Sequence, residues 1–200
     1  MRLRAVAGPD DLNTMRTAWT RAMRGEASAD RGANDGPSGL DQDPAFLPCL
    51  EHPQVMGAVA HLLDGDLVLL RFRGREPRAG GGQQGFHVDD AQPVPPDRQV
   101  LANAFWILDD MDETNGATRV IPGSHRLGRM PGRELLSKPE ARHPSSQTLT
   151  ARAGDVIVFS GHLWHAGSRN HSGARRRIAM AHFGRREIVG RYGGADQGGS

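Results

Sequence analysis

A single cysteine, Cys49, in a chain of 200 residues rules out an intrachain disulfide and fits a reducing compartment. Lys138 is the only lysine among 25 basic residues, so the positive charge is almost all arginine. The formal net charge is only +2. The arginine runs at 175–177 and 185–186 come without an aromatic stacking platform or a basic helix, so nucleic acid is not an expected partner. The opening Met1-Arg2-Leu3-Arg4 lacks the apolar run of a signal peptide, and no stretch approaches membrane-spanning length. The expectation is a cytoplasmic protein with no membrane partner. No Gly-Lys-Ser/Thr occurs, which removes the phosphate-binding loop.

What is present reads as one domain over residues 1–192, with a glycine-rich and disordered tail at 193–200. Residues 10–24 carry Leu12, Met15, Trp19 and Met23 at helical spacing, with Asp10 or Asp11 available as a cap. Residues 25–39 have no apolar period and read as a loop, with the role of a lid open to them. A second helix is expected at 53–64, ended by Gly65. From Asp66 the period changes to that of strands: 67–73 ended by Gly74, then 99–109, 117–121, 147–151, 156–159, 164–168 and 176–183. Asn115-Gly116 is expected to form a tight hairpin. Roughly eight short strands at regular spacing after two helices imply a mainly β fold, with a jelly-roll core over about 66–184 and the helices packed on one sheet. Gly80 to Gly85 formally matches a dinucleotide fingerprint, but no helix follows, so that reading fails.

The chemistry centres on Gly85-Phe86-His87-Val88-Asp89. On a strand, alternation puts His87 and Asp89 on one side and Val88 on the other. An imidazole beside a carboxylate supplies two of the three ligands of a facial iron site. A second histidine would complete it, and the candidates lie downstream in Gly161-His162-Leu163-Trp164-His165.

Phe86-His87-Val88-Asp89 is followed in order by Trp106-Ile107-Leu108-Asp109-Asp110. Next come Asn115-Gly116-Ala117-Thr118-Arg119-Val120-Ile121-Pro122-Gly123-Ser124-His125, then Ala153-Gly154-Asp155-Val156, His165 and Arg176. This order resembles the phytanoyl-CoA dioxygenase family, from about Leu67 to Phe183. The resemblance implies an Fe(II)/2-oxoglutarate-dependent oxygenase on a double-stranded β-helix of the cupin-like kind. It implies that His87, Asp89 and His165 hold the iron and that Arg176 grips the distal carboxylate of 2-oxoglutarate. A guanidinium suits that task because it is always charged and forks onto both oxygens. Arg176 lies 176 − 165 = 11 residues after the second histidine, room for a strand, a turn and the start of a neighbouring strand. Arg175 and Arg177 should then face away. Where the family carries an inward hydroxyl two residues after the second histidine, this chain has Gly167, so Ser172 is the candidate to replace it.

The resemblance further implies O2 as co-reactant, with ascorbate as the reductant in vitro, and a small molecule as substrate. Hydroxylation, oxidative cyclisation and desaturation are all open to such an enzyme, and bacterial tailoring of antibiotics or saccharides is the expected setting. His125 and Trp106 are candidates to touch substrate. Arg73 and Gln84 are candidates for the metal-proximal carboxylate of the cosubstrate. Acidic residues 90, 109, 110 and 112 fit either a cationic or polyhydroxylated ligand or an acidic hairpin that is only solubilising. The rival readings are a cupin-type metal protein that binds or isomerises sugars, and a metal-free β-sandwich module. Asp89 and Arg176 speak against the first. Nothing in the sequence sets an oligomeric state.

Overall fold

The computed structural model describes residues 1–25, 34–90 and 92–192. Most of the expected lid, residues 26–33, and the expected tail from 193 lie outside the described residues. The chain begins with β1 (Arg2–Leu3), α1 (Pro9–Gly25), β2 (Asn34–Asp35), α2 (Leu47–Glu51) and α3 (Pro53–Leu62). The strands β3 (Val68–Pro77), β4 (Leu101–Ile107) and β5 (Thr118–Val120) follow, then α4 (Arg133–Ser137). The last elements are β6 (Gln147–Thr148), β7 (Val156–Ser160), β8 (His165–Gly167), β9 (Ile178–Gly184) and α5 (Val189–Tyr192). They form two antiparallel sheets, one ordered β1-β7-β4-β9-β3-β2 and one ordered β6-β5-β8.

The large sheet is covered on one face by the N-terminal helices. Ala102, Ala104 and Trp106 of β4 and Ala179, Ala181 and Phe183 of β9 share one buried cluster with Met15, Trp19, Phe46 and Val59. Four alanines at the middle of this face leave room for the helices to press close, and the large side chains fill that room from the helical side. The alternate residues Phe105, Ile107, Ile178 and Met180 point the other way, into a second cluster with Ile157 and Phe159. The functional cavity lies on this inner face.

Three expectations need correction. Gly74 does not end β3, which runs on to Pro77. A Cβ at Gly74 would sit 2.5 Å from both Pro37 Cδ and Trp19 Cη2, so the glycine marks a close approach by the helical layer. Asn115-Gly116 is not a hairpin turn, because β4 pairs with β7 and β9 while β5 pairs with β6 and β8. Gly116 has φ +90°, but Asn115 keeps a negative φ, which excludes the mirror-image hairpin turn. Its amide is used instead to hold the Asp112 N–H at 3.0 Å and the Asp110 carbonyl at 2.7 Å, and the chain crosses between sheets. Finally, residues 34–35 of the expected loop form β2, paired with Pro77 and Glu76. Asp11 lies within α1, accepting from the Gly8 N–H at 3.2 Å.

Candidate metal centre

His87 and Asp89 stand on a short extended segment beside β8. The His87 N–H donates to the His165 carbonyl at 2.9 Å, and the His165 N–H donates back at 3.0 Å. The Asp89 N–H donates to the Gly161 carbonyl at 2.9 Å. Phe86 and Val88 pack outward with Ile121, Trp164 and Ala166, which fixes the alternation and turns His87 and Asp89 inward. Gly85 lets the segment pass under α4: a Cβ there would overlap the Leu136 carbonyl.

Each imidazole is held by its own backbone. His87 Nδ1 lies 3.0 Å from the Gly85 carbonyl, and His165 Nδ1 lies 2.9 Å from the Leu163 carbonyl. A carbonyl only accepts, so this partner assigns the proton to Nδ1 in both rings and leaves each Nε2 with a free lone pair. The rings lie 4.4 Å apart between centroids. His165 Nε2 is 3.6 Å from Asp89 Oδ2, and one ligand atom from each of His87, Asp89 and His165 falls within 4.8 Å of the others.

The electrostatics suit a cation. Burial, and then the neighbouring His165, lower the His87 pKa to about 4, so this ring is neutral at neutral pH. Burial also raises Asp89, but His165, His182, the Asn103 amide and His87 outweigh it and hold the carboxyl below its usual range. The Asn103 side-chain N–H donates to Asp89 Oδ2. Two imidazoles and one carboxylate match the donor set of a first-row divalent ion such as iron(II), and such a facial set leaves positions open on the metal.

The cavity around these three residues is lined further by Arg73, Arg75, Gln84, Phe105, Thr118, Gly167, Met180 and His182. Arg73 and Gln84 are therefore in place as expected. Arg75, Thr118, His182 and Asn103 carry no local signal in the sequence; strand pairing alone brings them in, through the registers Arg75↔Ile178, Thr118↔Gly167 and Asn103↔His182. Arg176 is on the inner side of its segment, two residues before Ile178, and is 1% exposed. Among the described residues none of its three guanidinium nitrogens has a hydrogen-bond partner, and neither has Nη2 of Arg75. Burial first, and then Arg75, press the Arg176 pKa down to about 9. Its neighbours behave as expected: Arg175 pairs with Glu76 and Arg177 with Asp109.

Gly167 has no space for the missing hydroxyl. A Cβ there would overlap the Gly82 carbonyl and would lie 3.1 Å from Arg75 Nη2 and 3.2 Å from Gln84 Oε1. Arg75 and Gln84 thus occupy the position that a longer residue would take, and Gln84 Oε1 accepts from the Gly167 N–H at 3.2 Å. Gly167→Ser is expected to destabilise the protein by about 1–3 kcal/mol through overpacking, read as a lower urea midpoint, without tightening 2-oxoglutarate binding.

Three candidates lie elsewhere. Ser172 is exposed in the turn after β8, where its hydroxyl accepts from the Ala174 N–H at 3.2 Å. Its role is to shape the turn, together with Asn170, whose buried amide donates to the Pro77 and Ala174 carbonyls. Trp106 is on the helix-facing side of β4, edge-on to His52 with ring centroids 6.0 Å apart, so the sheet separates it from the cavity. His125 lines a different, small cavity with His162, Ser124 and Arg129. The acidic residues are also spoken for: Asp90 pairs with Arg191, Asp109 with Arg177, Asp110 with Arg152, and Asp112 caps its own turn.

Residues 3–178 match the family model described as phytanoyl-CoA dioxygenase. The chain belongs to the phytanoyl-CoA dioxygenase family. Among curated family relatives, dioxygenase af480 of Aspergillus fumigatus is 30% identical over 160 residues, covering 72% of this chain and 50% of that protein. The chain spans about half the length of the curated relatives it matches. Among solved structures, HygX from Streptomyces hygroscopicus with nickel, 2-oxoglutarate and hygromycin B bound superposes with a TM-score of 0.76 at 16% identity. The match covers 93% of this chain and 82% of HygX. The epimerase SnoN, in complex with Fe3+, alpha ketoglutarate and nogalamycin RO, gives a TM-score of 0.74 at 18% identity, over 92% of this chain and 78% of SnoN. At these identities the likeness shows a shared fold. No helix among the described residues is long and apolar enough to cross a membrane.

Proposed function

We propose that this chain is a non-haem iron(II), 2-oxoglutarate-dependent dioxygenase, a single domain over residues 1–192 on a double-stranded β-helix, working in the cytoplasm. The observation that carries the reading is the buried Arg176 guanidinium, whose nitrogens lack any partner, on the same inner face as a His/Asp/His cluster. An unpaired buried cation is costly and calls for an anionic ligand.

His87, Asp89 and His165 would hold the iron through Nε2, a carboxylate oxygen and Nε2. Arg176 and Arg75 would take the distal carboxylate of 2-oxoglutarate. Gly167, beside Arg75, is two residues beyond His165 on the same face of β8, about 7 Å along the strand, which is the reach of a five-carbon diacid. Gln84 and Thr118 line the space between and can donate hydrogen bonds to its oxygens. When bound, the iron centre supplies oxidative decarboxylation of 2-oxoglutarate by O2 to succinate and CO2, coupled to oxidation of a substrate C–H bond. The chain's own part is to keep the His87 ring neutral, hold Asp89 ionised beside His165, His182 and the Asn103 amide, and present Met180 and Phe105 as the apolar wall of the cavity. HygX holds hygromycin B and SnoN holds nogalamycin RO in their structures. They support hydroxylation, cyclisation or a related oxidation in bacterial antibiotic or saccharide tailoring.

The test is direct. Protein supplied with iron(II), ascorbate and 2-oxoglutarate under air is expected to form succinate, faster with substrate, and His87→Ala is expected to form none. Wild-type protein that binds neither iron nor 2-oxoglutarate would end the proposal. A sugar-binding or isomerase cupin gives the buried Arg176 nothing to do, so the oxygenase is the better reading.

A further inference from the structure

Strand β3 carries Arg71, Arg73 and Arg75 at alternate positions, opposite His182, Met180 and Ile178 of β9. Those three residues face the inner cluster and cavity, and paired residues of neighbouring strands share a face. The three arginines therefore form a file along one side of the cavity, with Arg176 at its inner end. Each feels the next: Arg71 bears on Arg73, Arg73 on Arg75, and Arg75 on Arg176.

The ligands already assigned do not neutralise this file. Four guanidinium charges face a single inward carboxylate, Asp89, which leaves an excess of three. A divalent metal and a dianionic cosubstrate cancel each other and leave that excess as it was. Arg75 and Arg176 are accounted for by the distal carboxylate. The side chains of Arg71 and Arg73 make no ion pair or hydrogen bond among the described residues. Arg73 lines the metal cavity, and both Arg71 and Arg73 line an adjoining groove of about 530 Å³, walled on its far side by Ser38, Gly39 and Gln42. The one acid in that groove, Asp41, accepts from Gln42 at 2.7 Å and pairs with neither arginine. The groove and the metal cavity thus share Arg73 as a wall residue, and the groove is basic along that side.

We propose that the substrate is an oxyanion-bearing small molecule, a carboxylate or a phosphoryl ester, whose anionic group binds Arg71 and Arg73 in the groove while its reacting carbon reaches into the metal cavity. The proposal rests on the oxygenase reading and adds the charge class of the substrate. It reverses the expectation of a cationic ligand, since the acids that suggested one are engaged already: Asp90, Asp109 and Asp110 by arginines and Asp112 by its own turn. Guanidinium pairs spaced by one strand repeat recognise carboxylate and phosphate through forked hydrogen bonds, and a positive groove also speeds the arrival of anions.

Protein loaded anaerobically with manganese(II) and 2-oxoglutarate is titrated by calorimetry with benzoate, phenyl phosphate, benzamide and benzylamine. Benzoate or phenyl phosphate is expected to bind at least about tenfold more tightly than the amide and the amine, and whichever of the two binds better names the source of the oxyanion. Arg71→Gln is expected to weaken that anion roughly ten- to a hundredfold, and Arg71→Lys to retain most of the binding. The Kd of 2-oxoglutarate should stay within about twofold in both variants, because Arg71 is remote from the distal carboxylate. Equal binding of all four probes, no binding of either anion, or an anion preference untouched by Arg71→Gln would overturn the proposal. Failure of the wild type to take up metal and 2-oxoglutarate is a separate result that strikes the oxygenase reading, and the metal-free protein can still be titrated with the same anions.

Discussion

Replacing Arg176 with methionine is expected to stabilise the cosubstrate-free protein and to strip it of 2-oxoglutarate affinity. The wild-type side chain is 1% exposed, with its nitrogens unpartnered and its charge opposed by Arg75. The nearest carboxylate that favours its charge, Glu76, is already engaged by Arg175 through two hydrogen bonds of 2.6 and 3.0 Å. Methionine has similar length and no charge to desolvate, so the folded state should gain about 1–4 kcal/mol. Binding should move the opposite way. Removing one partner of a buried charge pair costs about 2–5 kcal/mol, which is roughly thirty- to several-thousandfold in the 2-oxoglutarate Kd. Thermal unfolding with and without metal plus 2-oxoglutarate reads both effects. Measured over the metal-loaded protein, 2-oxoglutarate at a hundred times the wild-type Kd should add about 2.7 kcal/mol to wild type and less than about 1 kcal/mol to the variant, which melts higher when empty. A variant that melts lower than wild type and still responds to 2-oxoglutarate would count against Arg176 as the carboxylate clamp.

The second large effect is expected from Asp89→Ala. Among the described residues Asp89 is the one carboxylate lining a cavity that Arg73 and Arg75 also line, and it touches both His165 and Asn103. Loss of a residue that merely supports a metal ligand weakens metal binding about 10- to 100-fold, so loss of a ligand should exceed roughly a hundredfold. The removal also raises the excess positive charge around the metal, which opposes the cation directly. Iron(II) affinity should collapse and substrate-stimulated succinate formation should vanish. The fold should survive, because the backbone bond from residue 89 to the Gly161 carbonyl does not use the side chain. Iron bound stoichiometrically by Asp89→Ala at wild-type affinity would exclude Asp89 from the metal site.

The central chemistry was readable because it is local. Alternation along one short segment puts His87 and Asp89 on one side, and a turn between two strands accounts for Arg176. The parts that failed depend on which strand lies beside which. Strand β4 is buried on both faces, so its continuous apolar run has no alternation from which to choose a side. The choice fell on Trp106, whereas Phe105, one residue earlier, lines the cavity. Asn103, Thr118 and His182 look like ordinary strand residues until pairing sets them around Asp89 and His165. Ser172 has the right hydroxyl in the right stretch, but its turn directs it to the Ala174 N–H. Arg75 was hidden because Gly74 reads as the end of a strand when it marks where Trp19 packs.

His87 and His165, 165 − 87 = 78 residues apart in the chain, exchange a reciprocal pair of main-chain hydrogen bonds. Both imidazoles are thus spaced by peptide geometry alone, whatever the intervening polypeptide does at the surface. The excursion through α4 is tied to the same segment where the Phe86 N–H donates to the Leu135 carbonyl at 2.8 Å and Gly85 passes under Leu136. A foreign segment grafted into that excursion must therefore keep the backbone at 135–136 if the reactive core is to stay unchanged.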